Sequence, residues 1–287
     1  MSGDQGRRTL IVTGATSGMG RAIALRAARA GWATIATVRD PERARALEFD
    51  AKEQRLELDI RYLDITDHPA VTEVVEAVGR DYGHIDAVVS QAGGIFALGT
   101  AEQIPMAGFR ATMENNFFGN LAVIRAVLPH LRASRGRLIT TTSANGAIAA
   151  PYNDAYAASK FALEGVMEGV APLLARFGVK ATILEPGPIA TDVMAPRRRE
   201  RLIAPVPVPD DPYVDPWVFL ERVIAHTGAV QPAEDVARQV LELLDAEAPP
   251  LRAQTSPWTT EFVTPKLADA DGSRAFTALE DYLRLGD

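Results

Sequence analysis

A tyrosine and a lysine, Tyr156 and Lys160, stand four residues apart in the segment DAYAASKFALEG (154–165), with three small residues between them. On a helix, side chains at positions i and i+4 lie on one face, about 5–6 Å apart at Cβ. A phenol and an ammonium group would then share one small volume. An unperturbed tyrosine has a pKa of about 10, and a nearby cation stabilises its phenolate. We therefore expect Lys160 to lower the pKa of Tyr156 and to make it a proton donor and acceptor.

The glycine-rich segment TGATSGMG (13–20) lies between the first predicted strand and the first predicted helix, with glycines at 14, 18 and 20. Glycine allows a positive φ and the close approach of a pyrophosphate, whose charge the helix N-terminus offsets. The spacing G-x-x-x-G-x-G differs from the G-x-G-x-x-G fingerprint of dinucleotide-binding folds. A plain tight turn would also explain it. Its position after the very first strand favours dinucleotide binding.

The residues that end the second predicted strand indicate which dinucleotide would bind. In doubly wound folds an acid at this point accepts from the 2′-hydroxyl of the adenosine ribose, whereas an arginine accommodates a 2′-phosphate. Here Arg39 follows Val38, so the pattern favours NADP(H), with Ser17 of the glycine turn as a second contact. Asp40 keeps NAD(H) open, because a small shift of the turn would bring its carboxylate to the ribose. Otherwise Arg39 would be a solvated loop charge.

The elements that must position these groups alternate between strands and helices. The predicted strands are TLIV (9–12), ATIATV (33–38), LDIT (63–66), IDAVVS (85–90), RLITTT (137–142) and VKATILEP (179–186). Helical patterns follow the glycine turn as far as Gly31 and recur at 71–79, 120–131, 153–177 and 233–246. The strands show little polar alternation, as expected when both faces of a sheet are covered. We predict an α/β, doubly wound, mostly parallel sheet with helices on both faces.

We expect one domain over 1–287, with a substrate lid inserted at 191–228. The lid is dense in proline and is not expected to form a regular core helix. Its aromatic residues Tyr213, Trp217 and Phe219 would either line an apolar substrate pocket or pack the lid onto the body. The run RRRER (197–201) is typical of a solvated face, although it could hold an anionic group. After Pro250 no glycine marks the end of a last strand.

The composition limits the partners of the chain. A formal net charge of −7 argues against nucleic acid or an anionic membrane, which concentrated Lys and Arg would hold, and favours small molecules or copies of the same chain. The sequence contains no cysteine and its four histidines are scattered, so we expect no metal site. The polar N-terminus lacks an apolar signal core, and no run of about 18 apolar residues occurs. We therefore expect a soluble, cytoplasmic protein.

Four segments together resemble the classical short-chain dehydrogenases/reductases. They are TGATSGMG, TSANG (142–146), Y-x-x-x-K (156–160) and EPGPIAT (185–191). The resemblance runs from about Thr9 to Thr191, more loosely through 233–246, and is greatest to the hydroxysteroid and retinol dehydrogenase branch. It implies hydride transfer between a nicotinamide and a carbonyl or secondary alcohol, in a homodimer or homotetramer. The substrate would be a fairly large apolar molecule of a steroid-, retinoid-, polyketide- or quinone-like kind.

The resemblance also implies roles for single residues. Tyr156 would exchange the proton, Ser143 would hold the substrate oxygen, Lys160 would bind the nicotinamide ribose, and Asn116 would hold a water, with Asn115 as the rival if the register slips. The predicted cofactor contacts are Gly14, Thr16, Ser17, Gly18, Met19, Gly20, Arg39, Asp64, Ile65, Ala92, Gly93, Tyr156, Lys160, Pro186, Gly187, Ile189 and Thr191. With the lid aromatics included, the predicted substrate contacts are Ser143, Asn145, Tyr156, Tyr213 and Trp217.

One departure from the family pattern lies after the fourth strand. Members usually read N-N-A-G there, whereas this chain reads Ser90-Gln91-Ala92-Gly93. The departure favours an alternative in which the fold is a catalytically silent cofactor sensor or scaffold. A third reading is an epimerase or dehydratase of the extended branch, which recycles its nicotinamide, but the glycine spacing fits the classical branch better.

Overall fold

The computed structural model describes residues 6–16, 18–190, 202–228, 230–268, 281 and 284. The strands are β1 Thr9–Val12, β2 Ala33–Val38, β3 Leu58–Tyr62, β4 Ala87–Ser90, β5 Arg137–Thr141, β6 Lys180–Glu185 and β7 Arg252–Gln254. The helices are α1 Gly18–Arg29, α2 Pro41–Glu53, α3 His68–Tyr82, α4 Met106–Met113, α5 Gly119–Ser134, α6 Ala144–Ala147, α7 Asp154–Ala175, α8 Pro216–Thr227, α9 Ala233–Asp245 and α10 Pro257–Leu267. A π turn, Glu114–Phe118, joins α4 to α5.

The seven strands form one parallel sheet in the order β3-β2-β1-β4-β5-β6-β7. The chain first adds strands on one side of β1 and then, from β4 onward, on the other. This reversal opens a crevice at the carboxyl ends of the central strands, where ligands of doubly wound sheets bind. The sheet confirms the fold class predicted from the sequence.

Each face of the sheet has its own core. On one face α1, α2 and α9 bury residues such as Ile23, Leu47 and Val240. On the other face α3, α5 and α7 bury residues such as Val127 and Leu163. Covering both faces explains why the central strands are apolar throughout. None of the described helices combines the length and the apolarity needed to cross a membrane.

The third strand differs from the sequence prediction. It occupies Leu58–Tyr62, and the segment at 63–66 that was predicted to be a strand is the loop that follows it. β3 is an edge strand whose residues are only partly buried, and Asp59 and Arg61 form an ion pair along it. The alternation of apolar and polar residues in β3 hides the continuous apolar pattern of the other strands. The predicted strand was therefore placed too late in the sequence, and Asp64 lies in the loop at the carboxyl end of β3 rather than on a strand.

The segment predicted to be a lid contains a helix that the sequence did not predict. Residues 191–201 lie outside the described part of the chain, but Pro216–Thr227 forms α8. Asp215 caps α8 by accepting hydrogen bonds from the backbone N–H of Trp217 and Val218, at 2.8 and 3.2 Å. Proline at the first helical position does not interrupt a helix, because the N–H that it lacks has no partner there. The proline-dense stretch at 204–217 forms no helix before Pro216, as expected, but the sequence did not predict α8, which follows and buries Phe219 and Val223.

The segment after Pro250 adds one strand and one helix. β7 pairs with β6 although it has only three residues, and its Arg252 pairs with the buried Glu164 at 2.7 Å. Ser256 then caps α10 by accepting a hydrogen bond from Thr259 N at 3.2 Å. So short a strand has too few residues for a periodic signal, and the stabilising charges lie far away in sequence.

Two glycines in helices differ in the space around them. A Cβ on Gly20 in α1 would lie 2.6 Å from the Gly14 carbonyl oxygen and would overlap the Gln91 amide, whereas nothing lies within 4 Å of a Cβ on Gly165 in α7. We expect Gly20→Ala to lower the free energy of unfolding by about 1–3 kcal/mol.

We expect Gly165→Ala, the matched control, to raise the same free energy by about 0.5–1 kcal/mol, because alanine loses less backbone entropy on folding. Urea unfolding followed by circular dichroism measures both changes. A Gly20→Ala protein as stable as the wild type would contradict the close packing around the glycine turn.

Candidate active site

A cavity of about 600 Å³ opens at the carboxyl ends of the central strands. Sixteen predicted site residues line it: Gly14, Thr16, Gly18, Met19, Arg39, Asp64, Ile65, Ala92, Gly93, Ser143, Asn145, Tyr156, Lys160, Pro186, Gly187 and Ile189. Ser17 and Thr191 lie outside the described residues. The structure thus brings residues from most of the chain's length to one cleft.

The glycine turn is closed by a side chain from β4's end. Gly14 and Gly18 have φ of 69° and 53°, which glycine adopts without strain. The Gln91 amide nitrogen donates to the carbonyl oxygens of Thr13, at 2.5 Å, and Gly14, at 2.7 Å. Gly20 does not line the cavity; its missing side chain leaves room for Gln91. The residue that departs from the family pattern therefore has a defined structural role.

Asn120 of α5 ties the end of β4 and the loop after it to the π turn. The Ser90 hydroxyl donates to Asn120 Oδ1 at 2.7 Å, and Asn120 Nδ2 donates to the Ala92 and Asn116 carbonyl oxygens at 2.8 and 2.9 Å. All three bonds lie in the interior, where an unpaired polar group is costly. Asn120 was not predicted from the sequence, where its one signal is a polar residue inside an otherwise apolar helical face.

The π turn gives the two neighbouring asparagines different tasks. Asn116 is fully buried and does not line the cavity; its Nδ2 donates to Gly94 O at 2.9 Å and to Ser159 Oγ at 3.0 Å, and its Oδ1 accepts from Gly94 N at 2.8 Å. Asn115 lines the cavity, and its Oδ1 accepts from Arg39 at 3.3 Å. Asn116 therefore ties the π turn to the loop after β4 and to α7. π turns inside helices are frequent at functional sites.

Ser143, Tyr156 and Lys160 converge from the end of β5 and from α7. Ser143 and Tyr156 are hydrogen-bonded to each other, and the Ser143 oxygen also accepts from Asn145 N at 3.1 Å as the cap of α6. Lys160 Nζ donates to the Thr141 carbonyl oxygen at 3.1 Å and lies 5.6 Å from the centre of the Tyr156 ring. One helical turn of α7 thus sets the tyrosine and the lysine side by side, as the i, i+4 spacing predicted.

The electrostatics differ from the sequence prediction. Burial raises the pKa of Tyr156 above its ordinary value, and the hydrogen bond with Ser143 opposes this only in part. Burial also lowers the pKa of Lys160 to about 8, against the charge of Glu164. Among the protein's own groups the direction of the Tyr156 pKa is thus opposite to the predicted one, because burial desolvates the phenolate. A lowering of that pKa by Lys160 together with a positive nicotinamide stays a prediction.

Charged side chains line one end of the cavity. Arg39 and Arg43 reach it from the end of β2 and from α2, opposite Asp64. Asp40 does not line it: its carboxylate accepts from Glu42 N at 3.0 Å as the cap of α2 and lies 3.7 Å from Arg43. Two guanidinium groups are therefore available to a ligand here, whereas the nearest acid on the same turn is engaged in holding the helix.

Apolar side chains line the opposite end. They come from the loop after β4, from α8, from the segment just before α9 and from α10: Ile95, Phe96, Leu220, Ile224, Val230, Trp258 and Phe262. The rings of Trp258 and Phe262 stack at 5.0 Å with an interplanar angle of 10° and form a flat wall. Sequence analysis missed both, because it did not predict α10.

The structure does not bring the two predicted lid aromatics to the cavity. Tyr213 donates to Glu102 at 3.0 Å and meets Tyr152 edge-on at 6.4 Å, outside the lining. Trp217 sits at the start of α8, also outside the lining. Once residues 216–227 form a helix, Leu220 and Ile224, at positions i and i+4, reach the cavity in their place.

Comparison with known proteins agrees with this geometry. The family model described as short chain dehydrogenase matches residues 8–202. Retinol dehydrogenase 8 of Bos taurus is 29% identical over 93% of this chain and 87% of its own, and 17-beta-hydroxysteroid dehydrogenase type 1 of Homo sapiens is 32% identical over 95% and 85%. The crystal structure of a variant actinorhodin polyketide ketoreductase with NADPH is 26% identical, with a TM-score of 0.75 over 88% of this chain and 96% of that one.

The contrast between the two asparagines of the π turn can be measured. We expect Asn116→Ala to lower the free energy of unfolding by about 2–3 kcal/mol, because it removes the three hydrogen bonds of a fully buried side chain, two to the Gly94 backbone and one to Ser159. Asn115→Ala, one residue away, should cost less than about 1 kcal/mol. Chemical denaturation of both variants checks this, and equal losses would contradict the assignment of Asn116 as the buried tie.

Proposed function

This chain belongs to the short-chain dehydrogenase/reductase family, close to its hydroxysteroid and retinol dehydrogenase branch, and we propose that it is an NADP(H)-dependent oxidoreductase. It would interconvert a carbonyl group and a secondary alcohol on a fairly large apolar molecule. The observation that carries the proposal is that Ser143, Tyr156 and Lys160 line the same cavity as the glycine turn.

The proposed proton donor is the Tyr156 phenol. Its raised pKa keeps it protonated at neutral pH, so that it has a proton to give to a substrate carbonyl oxygen. Ser143, already bonded to the phenol, would hold the same oxygen, and Lys160 would reach a ribose from its anchor on Thr141. The nicotinamide, when bound, supplies or accepts the hydride. The protein's part is to orient the oxygen, exclude water and deliver the proton.

The preference for NADP(H) over NAD(H) is supported by the two arginines at the charged end. A 2′-phosphate would find Arg39 and Arg43 there, and guanidinium groups bind phosphate through charge-assisted hydrogen bonds. An NAD(H) site would need a free carboxylate for the ribose, and Asp40 is engaged with the start of α2 and with Arg43. The structural relative solved with NADPH supports the same choice.

The substrate proposal follows from the distribution of charge along the cavity. Among the described lining residues, the charged ones are Arg39, Arg43, Asp64 and Lys160, and all lie at the cofactor end or beside Tyr156. The substrate end is formed by aliphatic and aromatic side chains, with Asn145 and Asn153 as polar contacts. An uncharged molecule with an extended apolar body would fit, in the range of the retinol, hydroxysteroid and polyketide substrates after which relatives are named.

The chain would act on small molecules in the cytoplasm as a homodimer or homotetramer. Three large apolar side chains remain exposed on the α5 and α7 side of the molecule: Phe118, Leu173 and Phe177, at 43%, 57% and 57%. Apolar residues exposed on one side of a molecule are typical of protein–protein contact surfaces.

The decisive experiment follows nicotinamide absorbance while the protein meets a panel of ketones, aldehydes, quinones and steroids, with NADPH and NADH compared. We expect the wild type to consume NADPH and Tyr156→Phe to lose about 10²–10⁴-fold in rate, because the variant lacks the phenolic hydroxyl that would donate the proton. NADPH binding, followed by fluorescence, should change little in the variant.

Two results would contradict this proposal. Turnover that survives in Tyr156→Phe would remove the tyrosine from the mechanism. A wild type that binds NADPH tightly and reduces nothing on a broad panel would favour the silent sensor or scaffold.

The cofactor preference has its own test. We expect Arg39→Gln to raise the KM for NADPH about tenfold or more and to leave the KM for NADH nearly unchanged, because one charge-assisted bond to the 2′-phosphate is lost. Arg45→Gln is the matched control: it removes the same charge from the exposed face of α2, away from the cavity lining. If both variants weaken NADPH equally, or if NADPH and NADH weaken together, Arg39 does not read the phosphate.

A further inference from the structure

Three residues of α7 lie one turn apart on the face that meets β5: Tyr156, Lys160 and Glu164, at positions i, i+4 and i+8. The end of β5 and the two residues after it meet all three. The Thr141 carbonyl accepts from Lys160, Thr142 lies beside Glu164, and Ser143 bonds Tyr156. The proposed mechanism uses only the first two residues of this row.

Glu164 is an ionisable residue that is buried, with 3% of its surface exposed. Burial and the neighbouring Glu185 raise its pKa, and the bond from Arg252 acts in the opposite direction, towards the charged form. Its Oε2 accepts from Arg252 of β7 at 2.7 Å. Arg252 also pairs with the fully buried Glu185 at the end of β6 and with the half-exposed Glu168 of α7. Gln254 donates to the second oxygen of Glu185 at 2.6 Å. The guanidinium group of Arg252 therefore forms ion pairs with two buried carboxylates, those of Glu164 and Glu185.

The other oxygen of Glu164, Oε1, is buried and has no well-formed hydrogen bond among the described residues. The nearby Thr142 hydroxyl donates to the Leu184 carbonyl oxygen at 3.2 Å. Gly146 of α6 packs directly against Oε1, so that any side chain there would displace the carboxylate. A buried carboxylate oxygen without a donor is costly unless a positive charge lies near it.

Arg252 offsets part of the negative charge around Glu164, and Lys160 supplies a further positive charge one helical turn away. Facing the cluster are Tyr156 and Glu168 on α7, Glu185 on β6, Arg252 on β7 and Lys266 on α10. The titratable residue of β5, Arg137, lies near Asp245 and Arg8 instead. Two buried carboxylates and one guanidinium carry a net negative charge, which the buried Lys160 ammonium cancels. Glu164 is the group whose charge opposes the burial that lowers the pKa of Lys160.

We propose that Glu164 is a positioning residue for Lys160: its buried carboxylate, fixed by Arg252, holds the lysine in its charged form on the Thr141 carbonyl. The importance of this for turnover rests on the proposed function, since Lys160 would act there as a ribose-binding cation. The charge balance itself is a property of the folded chain without cofactor or substrate.

The test is a pH titration of the protein by NMR after labelling lysine at Cε. Lysine is scarce in this chain, at positions 52, 160, 180 and 266, and Lys160→Arg identifies the resonance of Lys160 by removing it. The wild type should show a Lys160 midpoint of about 8. We expect Glu164→Gln to lower that midpoint by roughly one pH unit or more, since a buried opposite charge is lost. The alkaline fall in reductase rate should move with it.

Glu168→Gln is the matched control, because it removes the same charge and the same Arg252 partner from a half-exposed position. Its midpoint should move by less than about 0.3 unit, since solvent screens an exposed charge. An unmoved midpoint in a folded Glu164→Gln protein, or equal shifts in both variants, would overturn the proposal.

If the Glu164→Gln protein does not fold, the same titration is carried out on Glu164→Asp. It keeps the carboxylate and should keep the Lys160 midpoint within about half a unit; a fall of a full unit there would also overturn the proposal. Because the titration needs neither cofactor nor substrate, it fails or succeeds independently of the proposed activity.

Discussion

The hydrogen bond from Lys160 to the Thr141 carbonyl oxygen joins the helix of the site to the sheet. Its two ends belong to rigid elements, the end of β5 and the first turns of α7. Once they are joined, the helical repeat places Tyr156 one turn before the lysine, and the chain leaving β5 places Ser143 two residues beyond the carbonyl. A helix period and a strand end thus set the geometry of three functional groups without a flexible loop, as precise sites require.

A second constraint acts at the glycine turn, where the backbone must remain open to a ligand yet keep one shape. Glycine supplies the positive φ but contributes no side chain to hold the turn, so the restraint comes from outside it. Gln91 provides that restraint through the Thr13 and Gly14 carbonyl oxygens, and the absence of a side chain at Gly20 leaves the space that Gln91 occupies. Departure from a family pattern at Ser90-Gln91 therefore does not imply a damaged site, because a different set of hydrogen bonds closes the same junction.

The sequence predicted what depends on local periodicity and short motifs. The central strands, buried on both faces, gave continuous apolar runs, and the spacing of Tyr156 and Lys160 needed only the helical repeat. Prediction from the sequence failed where contacts between distant parts of the chain determine the structure. β3 is a half-exposed edge strand, β7 is held by Arg252 against carboxylates far away in sequence, and the wall of Trp258 and Phe262 exists only because α10 returns to the cavity. The raised pKa of Tyr156 could not be predicted for the same reason, since the degree of burial is a tertiary property that no spacing reveals.

The two ends of the cavity are lined by different parts of the chain. Its charged and proton-handling groups come from the strand ends and from α2 and α7, within the region that the family model matches. Much of its apolar end comes from α8 and α10, beyond that region. Because Lys160 fixes the first turns of α7 to the Thr141 carbonyl oxygen, we expect substitutions of the cavity-lining residues in these later helices to reshape the apolar end with little movement of Tyr156. Arg252 is the exception: it lies on β7, just before α10, and pairs with Glu164 behind Lys160. The segment that ends the sheet therefore contributes both to the apolar wall of the cavity and to the charges around Lys160.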